Sequence, residues 1–168
     1  VSASADTDGH AAAVLMESLH GHSTLNNAAT GTISVVGTDG YAFAVIGSDA
    51  VDTINNNGHI TGALALYDGN DVFNNRSGGV WRTGATQSTD FGDGNDTLTN
   101  ATGGMIDVVG GTIAMEDGND TITNFGTFRL TGGTVTMGAG TNAFTNAGIL
   151  KVLGNSAVDM GATGTLTN

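Results

Sequence analysis

The sequence predicts an all-β protein: a right-handed parallel β-helix, or β-solenoid, with about 22 residues in each three-strand coil and a short N-terminal helical cap. Three observations favour this class: an asparagine that returns at similar intervals, short segments in which apolar and polar residues alternate, and glycine-rich turns between those segments. Residues that favour helices are scarce, whereas Thr, Asn, Gly and Val dominate, as is typical of short strands joined by turns.

The repeat is clearest at the asparagine that closes each coil. This residue ends the segments HSTLNN, VDTINN, NDVFNN, NDTLTN, NDTITN, NAFTN and GTLTN. The last two intervals are 22 residues each, and the interval before them is 24. A period of this length indicates one supersecondary unit per repeat, stacked on the next. The closing residues are Asn27, Asn56, Asn75, Asn100, Asn124, Asn146 and Asn168.

Each complete repeat contains three segments in which inward and outward side chains alternate, and three such strands per coil describe a parallel β-helix. The first segment follows the asparagine and a glycine. The second segment follows a G-G or G-N turn, and the third follows an Asp/Gly/Asn turn. Stacked apolar residues should fill the narrow interior. The predicted inward residues are Trp81, Ile106, Phe128 and Leu150 on the first strand, Ile113, Met115, Val135 and Met137 on the second, and Leu25, Ile54, Phe73, Leu98, Ile122, Phe144 and Leu166 on the third.

The two ends of the chain depart from the repeat. Ala11–His20 (AAAVLMESLH) is typical of a short amphipathic helix, so we expect a cap over residues 1–22 and a solenoid of six to seven coils over residues 23–168. Simple alignment of SAVDM points Asp159 inward, and we therefore expect a one-residue shift that places Val158 and Met160 inside. The last coil is expected to present an open edge, either in a fragment of a longer solenoid or against another copy.

Composition argues against several functional classes. The 168 residues carry a net charge of −12, with 4 Lys and Arg against 16 Asp and Glu, which disfavours binding to nucleic acid or to anionic membranes. No apolar run approaches the roughly 20 residues of a membrane-spanning helix. No Ser-His-Asp arrangement is visible, and the four histidines are scattered. The sequence therefore predicts a protein that is not an enzyme.

The repeats resemble the passenger β-helix of autotransporters, the type V-secreted surface proteins of Gram-negative bacteria. The resemblance rests on GDGNDTLTN followed by N-x-G-x-I/F and a G-G-T turn, and it covers roughly Gly21 to Asn168. It implies an extracellular or bacterial cell-surface location, with a role in structure, adhesion, aggregation or biofilm formation. Because one fold hosts many functions, the repeat specifies architecture more strongly than activity.

The GDGND turns also resemble the calcium-binding turns of RTX β-rolls. Their aspartates should stack along one edge, and carboxylate oxygens suit Ca²⁺. An RTX site uses successive nonapeptides on facing turns, however, whereas each coil here has one motif, and Phe91 replaces the first glycine. The alternative is that glycine supplies a positive φ while Asp and Asn make turn hydrogen bonds, so that calcium is an option but no cofactor is required. The candidate calcium ligands are Asp68, Asp71, Asp93, Asp96, Asp117 and Asp120.

Two other columns emerge from the alignment. The closing asparagines occupy one corner and are expected to form a structural ladder, because asparagine tolerates left-handed backbone geometry and its amide can bond the copies above and below. A charged column occupies equivalent outward positions and predicts either a surface ion-pair ladder or a stripe that binds an acidic glycan or a partner protein. The charged column contains Arg82, Asp107, Arg129 and Lys151.

Three functions follow from these patterns. The leading hypothesis is an extracellular cell-surface solenoid with a structural or adhesive role, such as a stalk or an adhesin. The second is a self-assembling extracellular fibre subunit that stacks end to end through open coils. The third is a polysaccharide-binding or polysaccharide-cleaving β-helix. The expected partners are other copies of the chain or neighbouring solenoid segments, and a host or matrix protein or glycan.

Overall fold

The structure, a computed structural model, describes residues 2–4, 11–16, 18, 21–36, 42–84 and 87–168. Within these residues the chain forms strands and no helix, and the strands build three parallel seven-stranded sheets. Each strand pairs with the strand three places further along the chain, so that every coil contributes one strand to each sheet. The chain is therefore an all-β parallel solenoid of about six turns, in agreement with the predicted class.

The strands of the three sheets alternate in chain order. The first sheet contains β1 (Ser2–Ser4), β4 (Thr32–Val36), β7 (His59–Thr61), β10 (Val80–Arg82), β13 (Met105–Val109), β16 (Thr127–Thr131) and β19 (Ile149–Leu153). The second sheet contains β2 (Ala11–Leu15), β5 (Ala42–Ile46), β8 (Ala63–Ala65), β11 (Thr89–Asp90), β14 (Thr112–Ala114), β17 (Thr134–Thr136) and β20 (Ala157–Asp159). The third sheet contains β3 (Ser23–Asn27), β6 (Asp52–Asn56), β9 (Val72–Asn75), β12 (Thr97–Asn100), β15 (Thr121–Asn124), β18 (Ala143–Asn146) and β21 (Thr165–Thr167).

One apolar core runs along the inside of the three sheets. The inward residues predicted for the inner coils are fully buried, and the ring of Phe73 lies 4.7 Å from that of Trp81, centroid to centroid. The predicted inward residues on the outermost strands are less buried: Leu25 and Leu150 are half-buried, and Leu166 is 43% exposed. These three residues have a neighbouring coil on one side only, because β3, β19 and β21 are edge strands.

The N-terminal segment does not form the predicted helix where the structure describes it. Ala11–Leu15 is strand β2, and it pairs in parallel with β5. The prediction was wrong because pairing with a neighbouring strand overrides the local amphipathic pattern, which is a weak guide for so short a run. Residues 17, 19 and 20 of the predicted helix lie outside the described residues. No helix among the described residues has the length and apolarity needed to cross a bilayer.

The predicted shift near the C-terminal end is confirmed. Val158 pairs with Val135, an interval of 23 residues, where the neighbouring pair Phe144 and Leu166 is separated by 22. Val158 packs against the core together with Met160, whereas Asp159 is exposed. The extra residue therefore keeps the carboxylate of Asp159 out of the apolar interior, where an unpaired charge is costly.

Candidate functional site

The asparagines that close the coils form one continuous ladder of side-chain hydrogen bonds. The Nδ2 of each asparagine donates to the Oδ1 of the asparagine in the next coil, at distances between 2.5 and 2.8 Å. The Nδ2 of Asn75 also donates to the carbonyls of Gly79, at 3.0 Å, and Met105, at 3.1 Å. Since buried amides require partners, the ladder holds adjacent coils in one register. It runs through Asn27, Asn56, Asn75, Asn100, Asn124, Asn146 and Asn168.

The left-handed corner of the coil does not lie at the ladder asparagines. The only non-glycine residues with positive φ in the described part of the chain are Tyr67, at 65°, and Glu116, at 57°, so the ladder asparagines do not use the left-handed geometry that asparagine tolerates. Gly92 stacks on Tyr67 and Gly138 stacks on Glu116, with φ angles of 81° and 67°. The first six asparagines instead end extended strands of the third sheet, where ladder pairing requires β geometry, and Asn168 directly follows β21.

Four aspartates and one asparagine form a second buried column beside the Asp/Gly/Asn turns. The Oδ1 of Asp71 accepts the backbone N–H of Asp52 at 2.7 Å, and the Oδ1 of Asp96 accepts that of Asp71 at 2.7 Å. The Oδ1 of Asp120 accepts the N–H of Asp96 at 3.0 Å, and the Oδ1 of Asn142 accepts that of Asp120 at 2.8 Å. All five residues are at most 1% exposed. The last four of these side chains in chain order therefore tie their coils to the backbone of the preceding coil, whereas the Oδ2 of Asp52 accepts the N–H of Ser48 at 2.8 Å within its own coil.

The other oxygen of each carboxyl in this column is buried without a hydrogen-bond partner among the described residues. These oxygens are Oδ1 of Asp52 and Oδ2 of Asp71, Asp96 and Asp120. Loss of solvent raises the pKa of Asp71 to about 8, of Asp96 to about 7 and of Asp120 to about 6, and also raises the pKa of Asp52. The backbone N–H bonds oppose this increase, whereas neighbouring carboxyls add to it for the first three.

The remaining candidate calcium ligands lie in a separate, exposed column. Asp68, Asp93 and Asp117 are on the outside of the turns, and the N–H of Asp117 lies 3.4 Å from the Oδ1 of Asp93. The buried carboxyls therefore do not share one coordination sphere with the exposed ones. No group of three or more Asp, Glu, His or Cys within the described ranges is placed to hold a metal ion. We do not assign the acidic turns as metal ligands.

The charged column lies on the first sheet, as the alignment places it. Arg82 pairs with Asp107, Asp107 with Arg129, and Arg129 with Lys151 in successive strands. The Nε of Arg129 donates to the Oδ1 of Asp107 at 2.8 Å, and its Nη2 donates to Oδ2 at 2.6 Å. The Nε of Arg82 lies 3.8 Å from the same Oδ2. Hydrogen bonding to the carboxylate raises the pKa of Arg129. Lys151 is exposed beside this pair.

Two shallow grooves lie on the surface of the described chain. A groove of about 510 Å³ brings His22, Asp49, Asn70 and Asp93 to one side of the acidic turns. A second, of about 300 Å³, is lined by Phe125, Ile149 and four glycines of the corner after the asparagine ladder. Neither groove contains a member of the charged column, so the cations and the acidic turns occupy different parts of the coil.

Two members of the buried column were missed in the sequence. Asp52 and Asn142 each lie four residues before a ladder asparagine, the same offset that separates Asp71 from Asn75. Alignment on the closing asparagine would therefore have identified both. Asp52 was the harder of the two to place, because its motif, VDTINN, lacks the glycine turn that marks the other coils.

The stacked coils and their internal polar ladders define the chain as a parallel β-solenoid repeat protein. Comparisons with protein-family models, with curated proteins and with solved structures found no match to this chain.

Proposed function

We propose that this chain is an extracellular cell-surface solenoid with a structural or adhesive role, a right-handed β-helix of the autotransporter-passenger kind. The proposal rests on the difference between the inward and the outward side chains of each strand. Inward positions are occupied by the core and by self-paired polar ladders, which repeat from coil to coil. Outward positions vary in chemistry while the backbone stays regular, so the rod can present side chains without changing its fold.

The charged column is the surface we propose for ligand contact. Asp107 accepts two hydrogen bonds from Arg129, so this pair is largely neutralised. Arg82 and Lys151 are the more exposed cations of the column. The side chain of Arg82 is 58% exposed. On a chain with a net charge of −12, this is a local concentration of positive charge. An acidic glycan, or an acidic patch on a matrix protein, fits such a stripe.

No reaction is part of this proposal. The buried carboxyls are enclosed between coils, and the bidentate ion pair satisfies Asp107. A general acid or base must reach its substrate, and the aspartates with raised pKa do not reach the surface. We therefore favour binding and scaffolding over hydrolysis of a polysaccharide.

The surface role is tested by fusing the chain to the translocation unit of an unrelated autotransporter in a laboratory Gram-negative host. We expect protease added to intact cells to release the folded chain, and the displaying cells to adhere to acidic glycan or to matrix protein. The matched control carries Arg82→Gln and Lys151→Gln, which leave the Asp107–Arg129 pair intact and should reduce adhesion. Retention of the chain inside cells that deliver a known passenger would contradict the proposal.

A second candidate, self-assembly through coil ends, is favoured by the apolar side chains exposed in the last described coil. Val152, Leu153 and Leu166 are 47%, 46% and 43% exposed there. A second copy with the same coil shape would bury them and pair the open strand edges. Light scattering across a concentration series distinguishes the two candidates, because assembly increases the mass with concentration and a monomeric stalk keeps it constant.

A further inference from the structure

Asn142 shows what the buried column requires of its members. Its Oδ1 accepts the N–H of Asp120, and its Nδ2 donates to the carbonyl of Met137 at 2.7 Å, five residues earlier. Both ends of this side chain are therefore satisfied, one by a donor and the other by an acceptor. In this coil, the side-chain atom of the column that does not accept an N–H is therefore a donor, and it supplies the hydrogen for a bond to a backbone carbonyl.

The same carbonyl position recurs in the three preceding coils. Leu66, Phe91 and Met115 are aligned with Met137, since the N–H of each donates to the carbonyl of a residue in the following coil. Each also lies five residues before an aspartate of the column, as Met137 lies five residues before Asn142. The aspartates in these coils are Asp71, Asp96 and Asp120.

We propose that Asp71, Asp96 and Asp120 are neutral carboxylic acids in the folded chain, and that each donates its proton from Oδ2 to the carbonyl five residues earlier, as the amide of Asn142 does. An ionised carboxyl has no hydrogen to donate and would place a negative oxygen against an electron-rich carbonyl. A neutral acid accepts the N–H through Oδ1 and donates through Oδ2, which satisfies the oxygens that lack partners. The column then acts as a proton-dependent lock between coils.

The groups that act on the column favour the neutral form. Every charged group that shifts one of these pKa values is a carboxyl, and each shift is an increase. Asp52 and Asp96 raise the pKa of Asp71. The pKa of Asp96 is raised by Asp120 and Asp90, and that of Asp120 by Asp117. Burial is the largest cause of the increase in pKa at each site. No cation is among the described groups that shift the pKa of Asp71, Asp96 or Asp120.

The raised pKa values determine the direction of the pH effect. An aspartate whose folded pKa exceeds its unfolded value stabilises the fold fully at low pH, and this contribution is lost as the pH rises through the folded value. The window therefore begins near the model-compound value of 3.8 and extends through about 6 for Asp120, about 7 for Asp96 and about 8 for Asp71. This property is independent of the proposed surface role.

The first experiment measures the thermal unfolding midpoint from pH 5 to pH 9 for three chains. The wild type should lose roughly 10 °C over this range. The variant with Asp71→Asn, Asp96→Asn and Asp120→Asn should lose little and should exceed the wild type at pH 9, because its amides donate at every pH. The control with Asp68→Asn, Asp93→Asn and Asp117→Asn makes the same three substitutions in the exposed column and should keep most of the wild-type dependence, because burial is the largest cause of each raised pKa and Asp117 acts only on Asp120. A wild-type midpoint that is constant or rises with pH would overturn the proposal.

The second experiment needs only the wild-type chain. Infrared difference spectra between pH 5.5 and pH 9 should contain the carbonyl stretch of a protonated carboxylic acid, which disappears as the pH rises. Absence of this band at pH 5.5 would refute neutral acids in the column. The last measurement adds calcium chloride at pH 9. Unchanged stability supports proton binding. Stabilisation of the wild type, but not of the buried-column variant, would mean that the carboxylates bind a cation instead.

Discussion

The backbone of Gly118 lies so close to that of Gly94 that a Cβ on Gly118 would be 1.5 Å from the Gly94 carbonyl oxygen. Gly94 has the same relationship to Gly69, and Gly140 to Gly118, at 1.5 and 1.6 Å. The glycine of the Asp/Gly/Asn turn therefore serves close stacking between coils as well as backbone geometry.

Substitution of Gly118 should consequently destabilise the chain through a steric clash. Gly118→Ala is expected to cost at least about 3 kcal/mol of unfolding free energy, because the backbone it meets cannot move without separating the coils. Gly84→Ala is the matched control, since a Cβ there meets nothing within 4 Å and should change stability by less than about 0.5 kcal/mol. Urea denaturation followed by the fluorescence of the single, buried Trp81 measures both. Equal costs at the two positions would contradict the close-stacking role.

Removal of one rung should weaken the asparagine ladder. Asn100→Ala deletes the acceptor of Asn75 and the donor to Asn124, at 2.8 and 2.7 Å, and leaves buried polar atoms unpaired. We expect a loss of about 2–3 kcal/mol. The control Asn119→Ala removes an exposed side chain whose Oδ1 accepts one backbone N–H, and should cost less than about 1 kcal/mol. The ladder would not stabilise the fold if Asn100→Ala were as mild as its control.

Removal of the arginine and removal of the aspartate from the ion pair on the first sheet should lower the stability of the chain by different amounts. Arg129→Gln leaves the carboxylate of Asp107, whose side chain is 3% exposed, with Arg82 alone at 3.8 Å. Asp107→Asn removes that buried charge and leaves only a half-exposed arginine. We therefore expect Arg129→Gln to lower the urea midpoint more than Asp107→Asn does, and Lys151→Gln to leave it unchanged. The opposite order for the first two variants would show that the arginine, not the carboxylate, depends on the pair.

Core packing should depend on side-chain position rather than on side-chain type. Phe128 is fully buried and its ring centroid lies 5.5 Å from that of Phe144, whereas Phe125 is 49% exposed. Phe128→Ala should cost about 3–5 kcal/mol through cavity formation. Phe125→Ala, which removes the same atoms from the surface, should cost less than about 1 kcal/mol. Differential scanning calorimetry on both variants measures these changes. A large loss of stability for Phe125→Ala would mean that this ring is packed against other groups and is not free at the surface.

The left-handed corner provides a stabilising substitution. Glu116 has a φ of 57°, whereas the stacked residue in the next coil is Gly138. Glu116→Gly should relieve a strain of about 1 kcal/mol and raise the unfolding midpoint. Glu116→Gln keeps the strain while removing the charge, so it separates the backbone effect from the acidity of the corner. If only Glu116→Gln were stabilising, charge repulsion rather than backbone geometry would limit this corner.

The sequence was informative wherever a repeat placed like residues in register. Leu98, Ile122 and Phe144 follow the asparagine period, and all three are buried as predicted. The shift at SAVDM was also predictable, because an aspartate in the apolar interior is costly and a one-residue insertion removes it. Both predictions depend only on the alternation of side chains along a strand and on spacing along the chain.

The pairing of distant strands decided what the local pattern could not. Ala11–Leu15 has an amphipathic pattern compatible with a helix, but its backbone pairs with Ala42–Ile46. The left-handed residues Tyr67 and Glu116 carry no sequence signal of their own, since their geometry follows from the path of the coil. Neither position contains the glycine that would mark it.

The sequence by itself determined the repeat, the β-solenoid class, the asparagine column and most of the core, because these depend on periodicity and on the cost of burying polar groups. Only the tertiary structure decided that Asp71, Asp96 and Asp120 lie inside while Asp68, Asp93 and Asp117 lie outside. The two sets have the same residue type and occur in the same short motif. The packing of one coil on the next separates them, and that packing removes solvent from one carboxyl and leaves it around the other.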